Sequence, residues 1–321
     1  TDDQSEDKIM QVVVTGATSF IGAATVKKLM EAGHQVFAVV RPASSNMKHL
    51  EKLAGGEADG LLTICPLDLA DIRTLHGFLA DVWIHIGWDG AGSDNRTKRD
   101  VQQRNVTYAL DAVEAAAALG CRRFLFTGSQ AEYGVWHQTV AEDTPCHPVS
   151  EYGKAKVDFC EKAKILCKQK NMEYIHTRIY SVYGPGDHPW SLVQSCLRAF
   201  CEGGSMKLGE CTQNWNFLYI DDAAAALVSL LTEAPAGVYN IGSSDTRPLR
   251  SYIEEMYALC GSQGSYSYGE RPQNAEGPAD LMPDISRILR ETSWRPARTF
   301  AEGIYETLHS LREDPAGNKP L

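Results

Sequence analysis

Residues Met10–Gly22, MQVVVTGATSFIG, constrain the fold of this chain more than any other stretch. A short β-branched run gives way to glycines and then to a helical pattern, AATVKKLMEAG. Gly16 permits a tight strand-to-helix turn, and Gly22 lets the helix pack closely on a sheet. Thr18, Ser19, Phe20 and Ile21 lead into the helix, whose N-terminus offers free N–H groups to a pyrophosphate. The middle position of this fingerprint, usually glycine, is Ser19. Its hydroxyl could bond a phosphate oxygen, at the expense of close backbone approach.

A second apolar run, Gln35–Val40, follows at the spacing of a βαβ unit. Its end discriminates between dinucleotides. An acidic residue about 20 positions after the glycines would bind a ribose 2′-OH, whereas arginine accommodates a 2′-phosphate. The chain reads Val39-Val40-Arg41-Pro42-Ala43-Ser44-Ser45, with no carboxylate. Arg41 can form a charge-assisted fork on phosphate, with Ser44 and Ser45 as further donors. The expected cofactor is therefore NADP(H), with NAD as the alternative if Arg41 is only a solvated loop charge. Asp68, followed by Leu69, is either a contact to the adenine edge or an ordinary turn aspartate.

Short apolar runs recur at Met10–Val14, Gln35–Val40, Leu61–Cys65, Val82–Ile86, Arg123–Thr127 and Tyr174–Ile179. Helical patterns lie between them, notably Val101–Leu119 and Tyr152–Lys168. This alternation predicts an α/β fold, a doubly wound parallel sheet of the Rossmann type. After Gly184-Pro-Gly-Asp187 the pattern loosens. The expected division places a cofactor domain at 9–180, with return segments within 216–242. A smaller substrate lobe takes 181–215 and 243–321. The acidic start, residues 1–8, is expected to be disordered.

With 43% hydrophobic and 22% charged residues over 321 positions, the chain has material for an ample core. Its net charge of −10 argues against a nucleic-acid surface. No apolar run reaches the ~18–20 residues of a membrane span. The nine cysteines form no C-x-x-C pair and the histidines do not cluster, which excludes the common zinc spacings and leaves no metal site. Such cysteines read as buried thiols of a reducing, cytoplasmic compartment. His85, inside VWIHIG, reads as a core histidine rather than a ligand.

The chemistry is concentrated in two segments, Thr127–Gly134 (TGSQAEYG) and Tyr152-Gly-Lys-Ala-Lys156. A helix puts Tyr152 and Lys156 on one face. A lysine ammonium near a phenol favours phenolate, making a proton donor and acceptor usable near neutral pH. Ser129, at the carboxyl end of a strand, can hydrogen-bond the same oxygen. The set suits hydride transfer to or from a carbonyl carbon beside a nicotinamide.

Together these residues resemble the extended short-chain dehydrogenase/reductase family, the nucleotide-sugar epimerases, dehydratases and ketoreductases. TGATSFIG, WIHIGW, Asn105-Val106, TGSQAEYG, Tyr152–Lys156, RIYSVYGPGD, FLYIDDAAAAL, VYNIGSS and DISRILRETSWRP follow in the family's order. The resemblance implies Tyr152 as acid/base, Lys156 on the nicotinamide ribose and Ser129 on the substrate oxygen. It implies further cofactor contacts at Gly87, Asn105 and Tyr180, and substrate contacts at Trp88, Gln130, Ser181, Trp215 and Arg271. It also implies a homodimer built on the two central helices.

The departures narrow the function. In the 4,6-dehydratases of the family the catalytic hydroxyl is followed by acidic residues; here Gln130 and Ala131 stand there, and neither acts as acid or base. Two readings remain. A ketoreductase would use fresh NADPH once on a nucleotide-linked 4-keto sugar, and Arg41 favours it. A 4-epimerase would keep NAD bound. Trp215 replaces an arginine that commonly holds the substrate diphosphate, a role open to Arg271 or Arg178. Ser181 replaces the usual asparagine. A non-catalytic, cofactor-sensing regulator is a remote third reading, opposed by the intact Ser129, Tyr152 and Lys156.

Overall fold

The computed structural model describes residues 9–42, 44, 46–47, 50–51, 53, 60–92, 94–272 and 279–313. The segment 1–8 and Ser45 lie outside the described residues.

Six of the apolar runs become β1 (Gln11–Thr15), β2 (Gln35–Val40), β3 (Leu62–Pro66), β4 (Val82–His85), β5 (Arg123–Ser129) and β6 (Glu173–Ile179). Then come β7 (Ser181–Tyr183), β8 (Ser205–Lys207), β9 (Asn214–Tyr219), β10 (Gly237–Ile241), β11 (Thr246–Pro248) and β12 (Ser265–Ser267). The helices are α1 (Phe20–Glu31), α2 (Arg99–Ala118), α3 (Glu151–Gln169), α4 (Leu192–Cys201), α5 (Ile220–Glu233), α6 (Leu249–Leu259), α7 (Ser286–Glu291) and α8 (Phe300–Glu313). No described helix is long and apolar enough to cross a membrane.

The main sheet has the order β10-β6-β5-β4-β1-β2-β3, and every pair is parallel. Both its faces are covered, which is why its central strands read as nearly continuous apolar runs. Val12, Val14, Val26, Leu29, Leu227 and Leu230 fill one face, beneath α1 and α5. Val13, Trp83, Phe124, Phe126, Ala155 and Phe159 fill the other, beneath α2 and α3. The strand order reverses between β1 and β4, which opens a crevice at their carboxyl ends.

A separate cluster of buried side chains, including Tyr183, Phe200, Phe217, Tyr252, Phe300 and Ile304, holds the C-terminal elements together. Its sheets are β11-β9-β7 and β12-β8. Within the expected return segment, α5 and β10 rejoin the main sheet, whereas β9 pairs with β7 and β11. Between β3 and β4 the chain makes only a 3₁₀ turn, Leu69–Thr74, with Ile72 as its one buried residue.

Candidate active site

The crevice is shaped by glycines. Gly16 has φ +68°, and a Cβ there would lie 2.6 Å from the Gly87 nitrogen. A Cβ on Gly22 would collide with the Gly16 carbonyl, and one on Gly87 would lie 2.9 Å from Leu69. The ends of β1 and β4 therefore touch with no side chain between them, and Gly22 leaves no room for one in the first turn of α1. That geometry fits a dinucleotide pyrophosphate. Ser19 differs from its expected role. Its hydroxyl donates to the Gly16 carbonyl (2.7 Å) and accepts from the Gly22 N–H (3.1 Å), so it caps α1. This leaves the N–H groups of Phe20 and Ile21, without intrahelical partners, at the helix start.

Arg41 leaves β2 exposed, 3.7 Å from the Asp89 carboxylate, with two-thirds of its side chain in solvent. Ser44 donates to the Thr18 hydroxyl (3.1 Å), which ties the loop after β2 to the glycine turn. The Asp68 carboxylate accepts from the Ala70 N–H (3.0 Å), as in the turn reading. Asn105 spends its amide on Asp89, accepting from its N–H (2.9 Å) and donating to its carbonyl (2.7 Å). It thus fixes the loop after β4 rather than reaching into the crevice. Tyr180 is buried, its N–H bonded to the Ile241 carbonyl.

Ser129 ends β5, and its Oγ accepts from the Ala131 N–H (3.2 Å), leaving the hydroxyl proton free to donate. Helix α3 begins against this turn. Ser150 caps it, and Gly153 allows the approach, since a Cβ there would lie 2.5 Å from the Ala131 carbonyl. Tyr152 is thereby brought beside the Ser129 turn. The Arg96 guanidinium lies 4.3 Å from the centre of the Tyr152 ring, and the Arg96 carbonyl accepts the Tyr152 N–H (3.0 Å). Lys156 is 2% exposed and donates to the Thr127 carbonyl (2.8 Å). Its Nζ lies 4.0 Å from the Trp88 ring centre, 4.5 Å from that of Phe126 and 5.4 Å from that of Tyr152. Burial, aided by Arg96 and opposed by Glu132, pushes this ammonium down to about 7. Two cationic side chains, Arg96 and Lys156, thus stand beside the Tyr152 ring.

Sequence reasoning missed the network behind Ser129. Glu132, the only carboxylate of TGSQAEYG, is fully buried. It accepts from the Ser129 N–H (2.9 Å), from His176 Nε2 (2.9 Å) and from Arg178 Nε (2.9 Å). Gly128 leaves the room, as a Cβ there would lie 2.5 Å from His176 Nε2. Burial works against charge on His176, but the Glu132 carboxylate outweighs it and raises the imidazole to about 9. Arg178 is therefore a structural counter-ion with its guanidinium 4.4 Å from the Tyr133 ring centre, and it is not free to hold a substrate diphosphate. Gln102 was missed as well. Fully buried, it accepts from Trp88 Nε1 (2.8 Å) and donates to the carbonyls of Gly90 and Asn95. His85, the buried last residue of β4, has Nδ1 2.9 Å from the Thr15 hydroxyl of β1 and its Nε2 without a partner among the described residues; burial, with Lys156, lowers it to about 3.

Of the expected substrate residues, Gln130 lies in the Ser129 turn, Trp88 packs on Lys156, and Ser181 opens β7. Trp215 lies half-buried on β9 among the C-terminal aromatics, its Nε1 buried and without a partner among the described residues. Arg271 lines a cleft of about 190 Å³ with Leu192, Leu208 and Gly209. The structure thus groups Ser129, Tyr152 and Lys156 with Trp88, and sets Arg271 and Trp215 in the other lobe.

The chain belongs to the NAD dependent epimerase/dehydratase family, whose model matches residues 12–242. Its fold is similar to UDP-glucose 4-epimerase from Thermotoga maritima, solved with UDP-glucose (TM-score 0.82, 20% identity, covering 95% of this chain and 100% of that one). It is similar to UDP-glucuronic acid 4-epimerase from Bacillus cereus, solved with NAD (TM-score 0.82, 20% identity, 96% and 99% covered). It is also similar to dTDP-glucose 4,6-dehydratase from Streptomyces venezuelae, solved with NAD and TYD (TM-score 0.84, 21% identity, 97% and 99% covered).

Proposed function

We propose that this family member is an NADP(H)-preferring reductase of a nucleotide-linked 4-keto sugar. The observation that carries the reading is the Ser129 turn. Elimination of water needs an acid for the leaving hydroxyl and a base for the carbon-bound proton. Gln130 and Ala131 supply neither, and Glu132 is sealed behind them by His176 and Arg178. Beyond a hydride, which a bound nicotinamide would supply, reduction needs only a held carbonyl oxygen and one proton. Ser129 donates to that oxygen, Tyr152 delivers the proton, and the Arg96 and Lys156 charges stabilise the phenolate left behind.

The glycine turn and the start of α1 would hold the cofactor pyrophosphate, Lys156 the nicotinamide ribose, and Arg41 with Ser44 the 2′-phosphate. When bound, the nicotinamide supplies the hydride. Arg271 is the cation proposed for the substrate phosphates, with Trp215 as an apolar wall where an arginine commonly stands.

A 4-epimerase that retains NAD is the second reading. Two of the similar structures are UDP-sugar 4-epimerases, and Arg41 is held only loosely, at 3.7 Å from Asp89. Denaturing the purified protein and identifying the released nucleotide separates the two. Tightly held NAD supports the epimerase; NADP, or no retained dinucleotide, supports the reductase.

A further inference from the structure

Lys156 is enclosed in a way its assigned role does not require. An ammonium has three donors. One is used on the Thr127 carbonyl, its only hydrogen-bond acceptor among the described residues. Three rings lie around it, those of Trp88, Phe126 and Tyr152, with the indole face nearest at 4.0 Å, while Glu132 and Arg96 act on it electrostatically. Lys156 is only 2% exposed, and the indole is the ring that packs closest to its ammonium. Trp88 directly follows Gly87, the residue that meets Gly16 at the floor of the crevice. The indole is anchored, because buried Gln102 holds its Nε1. The same glutamine grips the loop at Gly90 and Asn95, and Asn105 grips it at Asp89.

We infer that Trp88 is a positioning residue that competes with the cofactor ribose for Lys156. Its ring packs on the ammonium that the ribose hydroxyls would engage. Cofactor entry then requires the indole to leave Lys156, and the Gln102-bound loop moves with it. The inference rests on the reading of Lys156 as the ribose ligand. A desolvated cation–π contact is large enough for its exchange to change affinity threefold to roughly thirtyfold.

The test is calorimetric titration of the parent protein, Trp88→Leu and Trp88→Phe with NADP⁺ and with NAD⁺. Leucine keeps apolar bulk and removes the π face. Trp88→Leu is expected to bind both dinucleotides more tightly by about threefold to thirtyfold, with Trp88→Phe between it and the parent. Free Trp88→Leu should also be acetylated faster at Lys156 by acetic anhydride, read by peptide mass against Lys154. Should circular dichroism show the leucine variant unfolded, the phenylalanine variant decides by the same criterion with a smaller gain. A parent that binds cofactor and variants that bind it equally or more weakly overturn the inference alone. A parent that binds neither dinucleotide overturns both the inference and the cofactor reading beneath it.

Discussion

Lys156→Met should make the protein more stable and less able to bind cofactor. Burial, with repulsion from Arg96, holds the folded-state ammonium down from 10.5 to about 7 despite the pull of Glu132. A base whose folded pKa lies below its unfolded one is costly to keep protonated. That cost is full below pH 7 and fades as pH rises towards 10.5. At ~1.4 kcal/mol per pH unit, the gap amounts to ~4 kcal/mol at pH 7 and ~2 kcal/mol at pH 9. Methionine avoids this cost but leaves the Thr127 carbonyl without its donor, a loss of ~1–3 kcal/mol. The expected net is a gain of ~1–3 kcal/mol at pH 7 that vanishes near pH 9. Urea unfolding at both pH values measures it, with NADP⁺ titration alongside to show the loss of binding. A variant less stable than the parent at pH 7, or a gain equal at both pH values, would refute the reasoning.

Three further outcomes are expected. Arg41→Ala should weaken NADPH by roughly tenfold, the lower end for a charge-assisted contact at an exposed site, and leave NADH nearly unchanged; equal losses in titration would remove the 2′-phosphate role. Tyr152→Phe should cut turnover of a 4-keto nucleotide sugar by ~10²–10⁴ while leaving NADP⁺ affinity little changed; near-normal turnover in a steady-state assay would exclude Tyr152 as the proton donor. Glu132→Gln strands the buried cations His176 and Arg178 and should destabilise the fold by ~3–5 kcal/mol in urea unfolding at pH 7. A loss under ~1 kcal/mol would show that those charges are not held as described.

The main sheet was legible because its strands are buried on both faces, and β-branched runs such as VVV and QVFAVV leave little else to be. The strands β7, β8, β11 and β12 were not, because three residues are too short to show a period. The turn at Leu69–Thr74 also escaped, since six residues with one buried side chain carry no helical stripe. In the site, the glycine turn and the pairing of Tyr152 with Lys156 were readable from spacing. Ser19 misled because a capping serine and a phosphate-binding serine look identical in sequence. The Glu132 network carried a signal that went unused. His176 and Arg178 are two apart on a buried strand, so they share a face and require a counter-charge there. The grip of Gln102 and Asn105 on the loop after β4 was invisible, because it joins side chains to distant backbone.

Product analysis with NADPH tests the central claim most directly. The enzyme is incubated with NADPH and a 4-keto nucleotide sugar, and separately with the parent hexose. Nicotinamide absorbance and product mass are followed together. The account predicts stoichiometric loss of NADPH and a product two mass units heavier than the ketone, with the hexose untouched. A loss of eighteen from the hexose, or isomerisation without net use of NADPH, would contradict it.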